Sequence, residues 1–200
     1  MSYTGTTFQA LIAAHLDRDD LTTKIATFCA LAVQELEDNC FWFQLAATTV
    51  STANATDYAA FPTGFIKEVK DGFRDTAGVS LRKETWEQID YWQTYSKGTG
   101  LPDYYAVADK FYFYPIPDAI YAMPLQYYKS IGFPGASATN AWTDTVWDLT
   151  FWATMKQAWN YLDNQANQIK CEREISKRLM EYKSRSGKLT GKGTVKYRDF

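Results

Sequence analysis

A dense aromatic tract near the middle of the chain is the feature that most restricts its fold. The stretch "DYYAVADKFYFYPIPDAIYAMPLQYY", residues 103–128, carries nine aromatic side chains in twenty-six positions. Aromatic residues favour strands, and turn residues divide the stretch into three parts, so we predict a three-stranded antiparallel meander. Successive side chains of a strand point to opposite faces, so Phe111 and Phe113 are expected on one face, with Tyr112 and Tyr114 on the other.

One face of this predicted sheet is expected to be core, and the tyrosine face to be partly exposed, since each phenolic hydroxyl needs a hydrogen-bond partner. Pro124 has no N–H to donate, which predicts that the third strand lies at an edge or contains a bulge. Rings on both faces are hard to bury within one small chain. We therefore expect neighbouring copies of the chain to cover the remaining face.

Helical periodicity flanks this region on both sides. Apolar residues recur at helical spacing in two stretches, Leu21, Ile25, Phe28, Ala32 and Leu36, and Trp147, Phe151, Met155, Ala158 and Leu162. From Gln44 the sequence instead alternates β-branched and polar residues between turns. The predicted fold class is α+β, with a mainly helical bundle core of residues 1–43 and 142–185, a small antiparallel β-domain inserted at 44–141, and an extended, flexible C-terminal tail, 186–200.

Charge is unevenly distributed along the 200 residues, although the net charge is only -2. Residues 168–200 contain ten lysines and arginines against four acidic residues, a balance of +6, which leaves -8 for residues 1–167. An acidic body argues against non-specific DNA binding by the whole protein. The basic end fits a nucleic-acid arm, a docking tail for an acidic partner, or a solvated helix terminus.

The sequence contains no phosphate-binding loop, dinucleotide fingerprint, zinc-protease motif or nucleophile elbow. His15 is the only histidine, and no motif ties it to a serine, a cysteine or an acid. Cys29, Cys40 and Cys171 are an odd number and have no metal-binding spacing. We therefore predict no catalytic, cofactor-binding or metal-binding residues, and a buried reduced thiol at Cys29.

Paired carboxylates offer one alternative to a purely structural role. Glu35 with Glu37, or Glu84 with Glu87, could flank a sugar ring on which exposed tyrosine or tryptophan side chains stack. Acidic residues on helices are more often solvated surface. The expectation is therefore that the protein is not an enzyme, with a glycan-binding or cell-wall-degrading protein as the alternative.

The chain shows neither a basic N-terminal segment followed by an apolar run nor any stretch approaching about 18 apolar residues. These features predict no association with a membrane. They also predict assembly in the cytoplasm of the cell that makes the protein.

The order of motifs along the chain resembles the head-to-tail adaptor (neck) proteins of tailed bacteriophages. The likeness spans about Leu11 to Tyr182 and is strongest from Leu101 to Tyr128. It is carried by the segments "LTTKIATFCALAVQELEDN", "FPTGFIKEV", "LPDYYAVADKFYFYPIPDAIYAMPLQYYKS", "TNAW" and "DLTFWATMKQAWNYL". The resemblance offers no family catalytic residues to carry over.

The resemblance implies a structural virion protein. Such adaptors form a ring, usually of twelve copies, that joins the portal protein to a tail or nozzle protein in the neck of the particle. The ring would form part of the DNA conduit, through which genomic DNA passes without specific binding. Assembly in the host cytoplasm is expected.

Two groups of residues are expected to contact other protein chains. The C-terminal segment of these adaptors reaches the portal, which implies portal docking by residues 186–200. The candidate portal-docking residues are Lys188, Leu189, Lys192, Val195, Lys196, Tyr197, Arg198 and Phe200. The candidate intersubunit residues are the strand tyrosines Tyr105, Tyr112, Tyr114 and Tyr127.

Overall fold

A computed structural model of the protein describes residues 2–189 and divides the chain into two compact units. The helical unit contains the chain up to Phe43 and from Ile131 onward, and the β unit comprises Gln44–Ser130. The α-helices are α1 (Gly5–Leu16), α2 (Thr22–Glu37), α3 (Trp86–Tyr95), α4 (Trp147–Tyr161) and α5 (Gln165–Leu189). The predicted α+β class is confirmed.

The helical unit is built on α2, α4 and α5, with α4 packed against both of the others. Its apolar stripes follow the spacing seen in the sequence, because residues three and four apart share one face of a helix. On α2 the stripe is Ile25, Phe28, Cys29, Ala32, Val33 and Leu36, all of which are buried. The helix α1 begins after Thr4, whose hydroxyl accepts a hydrogen bond from the Thr7 N–H at 3.2 Å.

The loop of residues 131–141 belongs to the helical unit, whereas the sequence predicted it within the β-rich region. Hydrogen bonds to two helices explain this difference. The amide of Gly5 donates to the carbonyl of Ala138 at 3.0 Å, and the carboxylate of Glu37 accepts from the amide of Ile131 at 2.9 Å. These are long-range contacts that local sequence patterns do not reveal.

The β unit contains seven strands in two sheets. The strands are β1 (Leu45–Ser51), β2 (Tyr58–Ala59), β3 (Phe65–Phe73), β4 (Arg82–Lys83), β5 (Tyr104–Val107), β6 (Phe111–Tyr114) and β7 (Ala122–Lys129). One sheet has the antiparallel order β1-β7-β3. The other has the order β2-β6-β5-β4, in which β4 and β5 are parallel.

The predicted three-stranded meander is correct for β5 and β6 and wrong for β7. Strand β7 lies between β1 and β3 in the other sheet, so it is a central strand rather than an edge. Pro124 is tolerated there because β3 ends at Phe73, which pairs with Leu125, so Pro124 lies beyond the paired part of β3. The register shift of this sheet lies on β3, opposite Leu125–Tyr127, and the pairing of β7 with β1 is regular through Pro124.

The core of the β unit lies between the two sheets and is largely aromatic. Phe111 and Phe113 of β6 are fully buried, and the ring of Phe73 from β3 lies 4.9 and 5.5 Å from theirs. Tyr112 and Tyr114 point to the opposite face, as the alternation predicted. Edge-to-face packing of this kind adds to the free energy gained by burial of the rings.

Candidate assembly surfaces

The tyrosine face of the four-stranded sheet is covered by a helix of the same unit. Helix α3 begins after Thr85, whose hydroxyl caps it, and lays two tryptophans across the strands. The ring centroid of Trp86 lies 4.0 Å from that of Tyr112, and the Trp92 centroid lies 5.3 Å from that of Tyr114. Both tyrosines are consequently half-buried.

The other two candidate intersubunit tyrosines lie in the core of the β unit, which corrects the expectation for them. Tyr105 is 2% exposed and Tyr127 is 5% exposed. The ring of Tyr105 lies 5.2 Å from that of Phe73, and burial raises the pKa of its hydroxyl. Neither side chain offers a surface to a neighbouring subunit, because β5 in one sheet and β7 in the other both turn these side chains towards the core between the sheets.

The two most exposed tyrosine rings of this unit lie on the outer side of α3. Tyr91 and Tyr95 are 55% and 74% exposed, and their ring centroids are 4.8 Å apart. The face that they share, here called the acidic-tyrosine face, consists of Glu87, Asp90, Tyr91, Thr94 and Tyr95. The spacing of tyrosines at i and i+4 within "WEQIDYWQTY" is the sequence signal that could have located it.

A second exposed face lies on α5. Its buried side is narrow, and most of its residues are charged. Within an arc of about 100° around the helix axis, Ile169, Lys170, Arg173, Lys177 and Met180 are exposed and are here called the basic face. Exposed Ala166, Ser184 and Lys188 lie on the same side of the helix. Met180 is 73% exposed, which is unusual for a long apolar side chain.

The candidate portal-docking residues divide at the end of α5. Lys188 and Leu189 form its last turn and are exposed, so residues 186–189 are helical rather than part of an extended tail. The remaining candidates lie outside the described residues, namely Lys192, Val195, Lys196, Tyr197, Arg198 and Phe200.

A third surface is the outer face of the three-stranded sheet. Along β1 and β7 its exposed residues carry no charge, and they are Leu45, Ala47, Thr49, Ser51, Ala122, Pro124 and Gln126. Strand β1 is an edge strand. Uncharged edges of this length are uncommon on proteins that remain solitary, because they invite pairing with another chain.

The carboxylate pair Glu35 and Glu37 is engaged in structural contacts. Glu35 pairs with Lys156 at 2.5 Å and also accepts a hydrogen bond from Gln157 at 2.9 Å. Glu37 is buried and holds the start of the 131–141 loop. Neither carboxylate is placed as the acid or base of a sugar-cleaving site, so no contact here favours the glycan-binding alternative.

His15 lies at an apolar cavity of about 270 Å³ in the helical unit. Its ring packs edge-on against Phe151 at 4.8 Å, and its Nδ1 lies 3.3 Å from the carbonyl oxygen of Leu11. Trp147 and Trp152 also line the cavity. His15 therefore takes part in the packing of the helical unit.

Residues 2–189 contain neither a candidate metal site nor a candidate membrane span. Within them, no group of three or more histidine, cysteine, aspartate or glutamate side chains is arranged to hold a metal ion. None of the helices in that range has both the length and the hydropathy that crossing a membrane requires.

Comparison with known proteins gives one result for nearly the whole chain. The family model described as SU10 adaptor protein matches residues 3–195 and therefore covers both units. Among curated proteins, none matches this chain.

Proposed function

Because this chain belongs to the SU10 adaptor family of phage head-to-tail adaptors, we propose that its copies form a ring joining the portal to the tail or nozzle protein. The observation that carries the proposal is the family match over residues 3–195. The family is a structural one rather than an enzyme family, and its members are components of the virion neck. We propose twelve copies for the ring.

The charge distribution supports a role as part of the DNA conduit. Residues 1–167 carry a balance of -8, whereas binding to DNA requires lysine and arginine side chains on the contacting surface. An acidic wall repels phosphate groups and therefore favours passage of the genome over its retention. In this proposal DNA passes through the ring without specific binding.

Portal docking is proposed for the chain from Lys188 onward. Helix α5 ends at Leu189 with exposed Lys188 in its last turn, and Lys192, Lys196 and Arg198 follow in the sequence. A positively charged segment of this kind suits an acidic groove on the portal, where its cations gain ion pairs on docking.

The docking proposal is tested by ending the chain at Leu189, after the last residue of α5. We expect the shortened protein to retain the circular dichroism and melting temperature of the full chain, since no buried residue of the described range is removed. In an infection that depends on this variant, we expect DNA-filled heads without tails. A matched control replaces residues 190–200 by a neutral glycine-serine segment of equal length. Tailed, infectious particles from the shortened chain would refute portal docking by this segment.

The ring proposal is tested separately by imaging native particles by electron cryo-microscopy. We expect twelve copies of the chain in one ring between the portal and the tail. Finding the chain elsewhere in the particle, or as single copies, would refute the adaptor assignment, whatever the truncation shows.

A further inference from the structure

The acidic-tyrosine face of α3 and the basic face of α5 are complementary in charge and chemistry. From this complementarity we infer that α3 of one copy docks on α5 of the next copy in the ring. The inference rests on the proposed ring and adds the two surfaces that would close it. It predicts a contact between unlike faces, repeated at every subunit.

The α3 face has one sign of charge. Helix α3 contains no lysine or arginine, and its exposed acids, Glu87 and Asp90, are three residues apart on the same side of the helix. Tyr91 and Tyr95 lie beside them with most of their ring surface exposed. Tyrosine is enriched at protein interfaces because it combines apolar area with a hydroxyl that hydrogen-bonds.

The α5 face carries the opposite charge, and its charged residues also recur about once per helical turn. Lys170, Arg173 and Lys177 recur once per helical turn, and Ile169 and Met180 add apolar surface next to them. The α3 face spans about 12 Å from Glu87 to Tyr95, and the α5 face spans about 16 Å from Ile169 to Met180, so the α5 face is long enough to cover the α3 face. An arginine can stack on a tyrosine ring, so these cations suit both the carboxylates and the rings.

The charges on these faces differ from the paired charges elsewhere on α5. Arg178 of α5 is held by Asp148 and Glu174. By contrast, Lys170, Arg173 and Lys177 take part in no ion pair within residues 2–189, and neither do the acids of α3. Their interactions with a second copy therefore need not break existing pairs.

A contact between two different faces has a geometric consequence. Heterologous contacts generate a closed ring when the rotation from one copy to the next divides a full turn. Because single exposed ion pairs are weak, the tyrosines are expected to supply buried area, and the charges to select the partner face and its register.

Charge reversal in trans tests the inference. The α3 variant is Glu87→Lys/Asp90→Lys, and the α5 variant is Lys170→Glu/Lys177→Glu. Each variant is supplied alone to an infection by phage lacking its own copy of the gene. We expect each to lower the yield of infectious particles by roughly tenfold or more, since like charges then face each other at every subunit contact.

Supplying both variants together should restore the yield, because the two chains can alternate around the ring with opposite charges facing at each contact. Combining all four substitutions in one chain should restore it as well. Rescue by the mixture requires a contact between copies, since a contact within one chain would stay repulsive in both variants. Failure of both the mixture and the combined variant, with each protein folded by circular dichroism, would overturn the inference.

Matched controls change the same amount of charge at exposed positions elsewhere. Asp38→Lys/Asp144→Lys matches the α3 variant, and Lys67→Glu/Lys129→Glu matches the α5 variant. Neither control should lower the yield to the same extent. If either does so and the mixture gives no rescue, net charge rather than this pairing controls assembly, and the inference is wrong.

A measurement on the unmodified protein covers the case in which a variant fails to fold. A carbodiimide links carboxylates to lysines only where they touch, so treated native particles should yield linked peptides that join Glu87 or Asp90 to Lys170 or Lys177. Absence of these links while other carboxylate-lysine links form would also overturn the pairing. A ring at the neck without these links leaves the adaptor function intact, whereas absence of the ring would refute that function itself.

Discussion

Glu37 shows how one buried charge determines where a loop begins. Its side chain is 7% exposed, and its carboxylate accepts hydrogen bonds from the amides of Ile131 and Gly132 at 2.9 and 2.8 Å. Hydrogen bonds to an ionised acceptor are stronger than those between neutral groups. This carboxylate therefore fixes the chain at the point where it re-enters the helical unit.

Replacing Glu37 by alanine should lower the free energy of unfolding by about 1–3 kcal/mol, because two amides lose their acceptor in a largely buried position. Urea denaturation followed by circular dichroism measures the change. Glu35→Ala is the matched control and should cost less than about 1 kcal/mol, since its carboxylate is 51% exposed. Equal losses in the two variants would contradict the role given to Glu37.

The three cysteines differ in environment and should differ in reactivity. Burial raises the pKa of the Cys29 thiol from 9.0 to about 12, and burial also raises the pKa of Cys171. At pH 8 roughly one Cys29 side chain in ten thousand is then a thiolate. With a disulfide reagent at pH 8 we expect rapid reaction of half-exposed Cys40 alone, and reaction of all three thiols in urea.

The raised pKa also has a consequence for stability. Between pH 9 and about 12 the unfolded chain releases a proton from Cys29 that the folded chain retains, so this residue makes stability fall as pH rises through that range. Cys29→Ala should therefore show a shallower loss of stability over the same range. An identical dependence of stability on pH in the two proteins would contradict the raised pKa of Cys29.

At the scale of elements, the pairing of α4 with α5 depends on a small polar network. Asp148 of α4 accepts a hydrogen bond from Arg178 Nε at 2.9 Å and another from the Tyr182 hydroxyl at 2.6 Å. Burial and this hydrogen bond raise the pKa of Tyr182. Because α5 has a narrow buried side, these contacts fix its rotation against α4.

A double-mutant cycle measures this network. Asp148→Asn and Tyr182→Phe each remove part of it, and we expect a coupling energy of about 0.5–3 kcal/mol between them. Thermal unfolding of the two single variants and the double variant provides the measurement. The pair Glu35→Gln and Tyr182→Phe serves as a control without a shared contact. Strict additivity in the Asp148 cycle would show that the hydrogen bond contributes nothing measurable.

The sequence predicted the two faces of strand β6 but not the helix that covers one of them. The alternation in "FYFY" predicted which side chains of β6 enter the core, and the prediction for Phe111 and Phe113 is confirmed. The sequence did not reveal that Trp86 and Trp92 cover the opposite face. Periodicity shows that a helix has an apolar side, but the strand against which that side packs depends on the path of the chain.

At the scale of the whole molecule, the β unit is an insertion whose two ends meet. Leu45 at the start of β1 pairs with Tyr128 near the end of β7, so the entry and exit points lie on neighbouring strands, roughly 5 Å apart. The unit also has a core of its own. Both features are typical of domains that tolerate excision or transfer.

We therefore predict that residues 44–130 fold when produced alone. Dispersed amide resonances in a two-dimensional NMR spectrum and a cooperative melting transition would establish this. Phe111→Ala in the same fragment should lower its free energy of unfolding by about 3–5 kcal/mol, since that ring is fully buried. A fragment without dispersed resonances would show that the β unit depends on the rest of the chain.

The spacing of apolar and aromatic residues along the sequence was enough to predict the apolar stripes of the helices, the alternation along β6 and the α+β class. Those features depend on side chains close together in the chain, whose spacing is visible directly. Tertiary structure alone decided that Tyr105 and Tyr127 are core, that residues 131–141 join the helices, and that Tyr91 and Tyr95 of α3 are exposed. Each of these depends on contacts between distant segments, and a tyrosine has the same local spacing whether its ring meets water, a helix or the core.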